Sequence, residues 1–136
     1  MELVLDVETS IFQKGNPFAD RNKLCLVGLL RGGDDGPLTY DVEHGTTPYG
    51  NRLSEIQHLL DGCVTLIGFN LKFDLHWLKR YNLDFSKCRV WDCQLVEFIL
   101  DNQRHPYPSL NGVCEKYGLG KKLDTINEKY WSQKIW

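Results

Sequence analysis

Nowhere does the chain carry an apolar run long enough to cross a membrane, and its first apolar stretch, Leu3-Val4-Leu5, is far too short for a signal peptide. Neither a membrane span nor a secretory leader is expected. The five cysteines, Cys25, Cys63, Cys88, Cys93 and Cys114, are odd in number and lack the tight pairs of zinc sites, so they read as reduced core thiols in a cytosolic compartment. His44, His58, His76 and His105 are scattered with no metal-ligand spacing among them. An excess of positive charge is missing too. Sixteen Lys and Arg against 18 Asp and Glu leave a net charge of −2, which argues against a uniformly basic nucleic-acid coat but not against a local patch from Lys72, Lys79, Arg80, Lys121 and Lys122. There is no internal repeat, low-complexity segment or sign of a second domain.

What is present is the composition of an ordinary globular protein: 136 residues, 42% hydrophobic and 25% charged. That is enough for a single domain, 1–136, burying roughly two thirds of its unfolded surface without staples. The chain's most telling stretch is Leu3-Val4-Leu5-Asp6-Val7-Glu8-Thr9. Three apolar residues in a row read as a strand buried on both faces, and such a strand should not carry two carboxylates unless something binds them. Side chains alternate along a strand, so Asp6 and Glu8 share a side, about 6.5 Å apart along the backbone. Like charges held this close repel, and a hard divalent cation between them resolves the conflict. Solvated acids at an exposed strand end are the plain alternative.

Beyond a loop marked by Gly15, Asn16 and Pro17, Asn22 to Leu30 reads as a second strand. The turn Gly32 to Pro37 and Leu38 to Val42 complete a hairpin, so the first three strands form an antiparallel meander. From Asn51 the period becomes helical, with Leu53, Ile56, Leu60 and Cys63 on one face. Val64 to Phe69 is a short strand and Leu71 to Tyr81 a helix. Cys88 to Trp91 is a fifth strand, after which Asp92 stands as N-cap before a helix over Gln94 to Leu100. Ser109 caps a last helix with apolar face Leu110, Val113, Cys114 and Tyr117, stopped by Gly118. This order predicts a mixed α/β sheet, an antiparallel three-strand meander plus parallel strands, flanked by helices. Trp77, Trp91 and Trp131 fall at apolar spacings expected of core. Trp131, Ile135 and Trp136 are large apolar residues at roughly helical spacing where the sequence stops, which reads either as a cut end or as a docked terminal helix.

A second acidic site follows the buried strand at Gly68-Phe69-Asn70-Leu71-Lys72-Phe73-Asp74. Asp74 falls in a first helical turn, where the helix dipole favours a negative charge, and Asn70 can cap that turn. An Asp in that position is commonly just a capping residue. Ligands, however, gather at the carboxyl ends of sheet strands, so Asp74 can face Asp6 and Glu8.

Together, Asp6-Val7-Glu8-Thr9 and Asn70-Leu71-Lys72-Phe73-Asp74 resemble the first two motifs of the DEDD 3′–5′ exonucleases, nearest to the proofreading domain of phage-type family A DNA polymerases. Val90 to Leu100 and Ser109 to Leu119 are similar to later stretches of that group, so the likeness runs over roughly Met1 to Leu123. It implies a ribonuclease H-like fold and two-metal hydrolysis of the terminal phosphodiester of single-stranded DNA, with ions ~3.5–4 Å apart. Asp6 would bridge both ions, Glu8 would serve the water-activating one and Asp74 the second; all-oxygen ligands suit Mg²⁺ or Mn²⁺. Thr9 and Asn70 would hold the terminal nucleotide, and Phe73 and Phe12 would offer stacking faces, although a loop anchor explains Phe12 equally well. The resemblance also implies a cytoplasmic setting, bacterial or in a phage-infected host, and a polymerase domain following in the parent protein.

One departure stands out. The superfamily's third motif places a Tyr or His four residues before a final Asp, and no such pair occurs: Lys121 follows Tyr117 at that spacing, Lys134 follows Tyr130, Gly62 follows His58 and Ser109 follows His105. The expectation is therefore an exonuclease domain incomplete at its C-terminus, weakly active or inactive as it stands, with Asp92, Asp101 and Asp124 poor substitutes. A ribonuclease D-like RNA exonuclease and a non-catalytic nucleic-acid- or protein-binding domain of the same fold are the competing readings.

Overall fold

Strand β1 (Glu2–Thr9) alternates without a slip, Leu3, Leu5 and Val7 being buried while Glu2, Val4, Asp6 and Glu8 are exposed. The computed structural model describes residues 1–43 and 49–120, and within them this corrects the expectation of a strand buried on both faces, since Val4 is 41% exposed. Two carboxylates are tolerable here because they stand on the open face.

β1 pairs antiparallel with β2 (Leu24–Arg31), which pairs antiparallel with β3 (Leu38–Asp41), the expected meander. Their turn is fixed by the Asp34 amide on the Arg31 carbonyl at 3.1 Å and by Arg31 Nε on Asp34 Oδ2 at 2.8 Å. β2 begins later than the apolar letters suggest because Asn22, fully buried, anchors the preceding loop. Helix α1 (Gly50–Asp61) leads to β4 (Thr65–Gly68), parallel to β1 with Leu3 opposite Leu66, and α2 (Leu71–Arg80) leads to β5 (Arg89–Asp92), parallel to β4 with Gly68 opposite Asp92. The sheet order is β3-β2-β1-β4-β5.

Ile56 and Leu60 of α1 and Leu71, Trp77 and Leu78 of α2 form one core with Leu3, Leu5, Val7, Val27, Leu29 and Leu66. Trp77 is core as expected, but Trp91 is 52% exposed. β5 is an edge strand, and its register puts Trp91 beside Ile67 and Val4 on the face that α1 and α2 do not cover. The far end of α2 is tied to β2 through Tyr81, whose hydroxyl donates to Glu43 Oε1 at 2.7 Å and accepts from the Leu24 amide at 3.1 Å. All five cysteines are free, and only Cys63 is fully buried. Burial and a hydrogen bond with Cys63 push the Cys88 thiol up to about 11, so it stays protonated and unreactive at neutral pH.

The chain divides into two compact units, Met1–Cys93, which holds the sheet, and Gln94–Trp136. Helices α3 (Cys93–Leu100) and α4 (Leu110–Lys116) serve the second. Ser109 Oγ accepts from the Gly112 amide at 3.0 Å, the expected N-cap, and Gly118 turns left-handed at φ +68° just past the helix end. Of the expected apolar face of α4, Val113 and Cys114 are half-buried, while Leu110 is 40% and Tyr117 51% exposed. Phe98 and Tyr107 stack at 4.3 Å, and Glu97 bonds both Lys116 and Tyr117. Among the described residues no helix is long and apolar enough to cross a membrane. The expectations for His44, Lys121, Lys122, Asp124, Trp131, Ile135 and Trp136 lie outside the described residues.

Candidate active site

Asp74 is the site's buried member, only 4% exposed. Its Oδ1 accepts from the amide of Val7 at 3.0 Å, so α2 reaches back onto β1 at the residue between Asp6 and Glu8. Asp74 is thus a cross-link between helix and strand, and its carboxyl also takes a backbone hydrogen bond in the first turn of its own helix. Burial pushes its carboxyl up to about 7, against the pull of the Val7 hydrogen bond, and the negative charges of Asp6 and then Asp92 push the same way. Asp6 therefore lies within electrostatic reach of Asp74. Opposite Asp6 on β2 stands Gly28, which leaves open space beside that carboxylate. Glu8 lies one alternation further along the same exposed face, opposite Leu26.

The β4–α2 corner sets where Asp74 sits. Gly68 leaves little room for a side chain: a Cβ there would press on the side chain of Leu71 and come within 3.2 Å of the Leu5 carbonyl oxygen. Asn70 then takes the left-handed conformation, φ 57° and ψ 48°, which asparagine tolerates better than most residues. Its side chain makes no cap bond, contrary to expectation. The cap comes instead from Asp92, whose Oδ1 and Oδ2 accept from the amides of Asn70 at 3.0 Å and Leu71 at 2.9 Å. Asp92 directly precedes α3, where a cap was expected, and its carboxylate serves the start of α2. A carboxylate at a strand end was the available signal; that it reaches the start of α2 depends on the β4–β5 register.

Thr9 and Phe73 meet around Gly15, where a Cβ would lie 2.8 Å from Thr9 Oγ1 and 3.1 Å from Phe73 Cζ, and where φ is +74°. The loop between β1 and β2 is pinned from α2 by Trp77 Nε1 donating to the Gly15 carbonyl at 3.1 Å, and from inside by Asn22 Nδ2 on the carbonyls of Phe12 at 2.6 Å and Asn16 at 3.0 Å. Neither Gly15 nor Asn22 had a local signature of such a role. Phe12 sits in a single 3₁₀ turn (Phe12–Lys14), 38% exposed, with the Arg21 guanidinium 4.1 Å above its ring.

Asp6, Thr9, Asn70, Phe73 and Asp74 are therefore assembled around the carboxyl ends of β1 and β4, inside one compact unit. The family model for the 3′–5′ exonuclease domain of family A DNA polymerases matches residues 2–134. The chain belongs to that family. With the membership comes the ribonuclease H-like fold, which the five-stranded mixed sheet and its helices carry. No curated protein matches the chain closely. Exonucleases of this family work with divalent metal ions. The residues here fit a hard cation in donor type, the converging Asp6 and Asp74 being all-oxygen ligands whose mutual repulsion a cation relieves. Among the described residues, however, no group of three or more His, Cys, Asp or Glu is placed to hold a metal ion.

Proposed function

We propose that this exonuclease domain hydrolyses the terminal phosphodiester of single-stranded DNA from the 3′ end, with Asp6, Glu8 and Asp74 holding Mg²⁺ or Mn²⁺. The single observation that carries the reading is the buried Asp74 carboxylate bonded to the amide between Asp6 and Glu8. Two such ions, when bound, supply Lewis acidity at the phosphate and a more acidic water. Water adds to phosphorus, and the 3′ oxygen of the preceding nucleotide leaves. Thr9 and Asn70 hold the terminal nucleotide, and Phe73 and Phe12 stack on its base, an interaction worth ~1–3 kcal/mol per base. The domain serves as a proofreading unit for a following polymerase domain, in the cytoplasm of a bacterium or a phage-infected host. Because no Tyr or His stands four residues before an Asp, the activity of these 136 residues alone is low.

That same gap favours a second reading, a domain that binds nucleic acid without cutting it. Labelled single-stranded DNA and RNA, incubated with the chain and Mn²⁺, separate the two. Slow metal-dependent release of mononucleotides from DNA, abolished by Asp74→Asn, is the expected result. Binding with no release from either polymer establishes the non-catalytic reading, and trimming of RNA alone establishes a ribonuclease D-like enzyme.

A further inference from the structure

Phe18 is 77% exposed, the most exposed of the large hydrophobic residues in the described chain. Burying a phenylalanine is worth roughly 1.5–3 kcal/mol, so the fold gains little from this ring where it is. Yet its backbone is held firmly. The Phe18 amide donates to Asn16 Oδ1 at 2.9 Å, and Arg80 spends its guanidinium on the loop, Nη1 on the carbonyls of Pro17 at 3.2 Å and Ala19 at 3.0 Å and Nη2 on that of Asp20 at 3.2 Å. The same guanidinium lies 5.0 Å from the centre of the buried Trp77 ring. The ring of Phe18 meets His76 edge-on, centroids 5.3 Å apart at 64°, an arrangement that does not stack either face of the phenyl on the imidazole.

The surroundings carry a matching charge. Lys72, His76 and Lys79 are spaced four and three residues apart on α2 and so share one stripe, with both lysines exposed. Of the basic patch read from the sequence, Lys72 and Lys79 are left facing solvent while Arg80 is consumed by the loop. Asp20 is the acid in that loop. The loop is also continuous with the proposed site, because three residues before Phe18 it packs Gly15 against Thr9 and Phe73. Phe12, by contrast, has an arginine over one face already.

We propose that Phe18, backed by His76 and flanked by Lys72 and Lys79, is a stacking platform for a base of single-stranded nucleic acid upstream of the terminal nucleotide. A rigidly mounted aromatic beside cations is the combination that binds single strands without reading their sequence. The assignment rests on the nucleic-acid reading above and adds a second point of grip to it, one that short strands do not reach.

Affinity of the full chain for labelled oligo-dT, measured by fluorescence anisotropy in Ca²⁺, tests this with a dinucleotide and with a strand of about twelve nucleotides, within the span that one such groove covers. Phe18→Ala should weaken the long strand roughly tenfold and leave the dinucleotide unchanged, Phe18→Trp should restore it, and the melting temperature should hold in both. Lys72→Gln with Lys79→Gln should flatten the salt dependence of the long strand by about 0.7 per lost phosphate contact. Equal affinities for wild type and Phe18→Ala on the long strand, with nucleotide release intact, overturn the platform alone. A wild-type chain that binds neither strand overturns the nucleic-acid reading as well.

Discussion

At the scale of single residues, Asp74 carries the proposed chemistry. A buried carboxylate with acidic neighbours is expensive to ionise even with backbone amides donating to it, which is why its carboxyl stands at about 7 against an ordinary 3.8. The sign follows. Below 3.8 the group is protonated whether the chain is folded or not; between there and about 7 only the unfolded chain ionises, so this residue's contribution to stability is lost as pH rises through that window. By the free energy per decade of ionisation the loss is on the order of 4 kcal/mol. Asp74→Asn keeps an oxygen for the Val7 amide and has no charge to bury, so at pH 8 without metal it should melt higher than wild type, and the loss that Asp74 causes between pH 4 and 7 should be absent from it. Asp74→Ala leaves that buried amide without an acceptor and should be about 1–3 kcal/mol less stable than Asp74→Asn. Urea titrations at a series of pH values read both. That Asp6 and Glu8 share a face of β1 and that Asp74 falls in the first turn of α2 was legible in the sequence, because strand alternation and helical period are local rules. The second role of Asp74, bonding across 67 positions to Val7, was not.

Among the elements, the β4–α2 corner carries the positioning. Gly68 lets α2 start against the backbone of β1, and the Asp92 carboxylate holds the two amides that open the helix. Gly68→Ala must push Leu71 out of a fully buried position and should destabilise the chain by about 1–3 kcal/mol, moving Asp74 with it. Asp92→Ala should cost about 1–3 kcal/mol, with Asp92→Asn in between. Chemical denaturation measures the two effects, which should be less than additive in the double variant because both act on one corner. The strands and helices themselves were readable, to within a residue or two at their ends, because hydrophobic period is a local signal. The loop from Ser10 to Asn22 was not, since Trp77 and Arg80, some sixty residues on, hold it in place. Arg80→Ala should release it, seen as faster hydrogen exchange at the amides of residues 15–20 with the sheet unchanged.

For the molecule as a whole, the misreading of Val4 and Trp91 has one cause: a run of apolar letters reports that a strand is apolar, not how many of its faces are covered. Within Met1–Cys93 the helices α1 and α2 cover one, so the acids of β1 stand on the other, where a cation can approach them from solvent. On the proposed reading, the stability of the whole fold should answer to metal. An ion that binds the folded chain alone stabilises it by RT ln(1 + [M]/Kd), about 2.7 kcal/mol at a hundredfold excess over Kd, which for a domain of this size is several degrees in melting temperature. On the proposed ligation the ion displaces the proton of Asp74, so the gain depends on pH: Mn²⁺ should raise the melting temperature at pH 8, where that carboxyl is ionised, and lose about half of this effect at pH 6, below its value of about 7. Thermal melts at both pH values, with and without Mn²⁺, follow it, and Asp74→Asn should show no shift at either. A wild-type shift that is equal at pH 6 and pH 8, or one that survives in Asp74→Asn, would place the ion away from Asp74 and leave that carboxylate a structural link between α2 and β1.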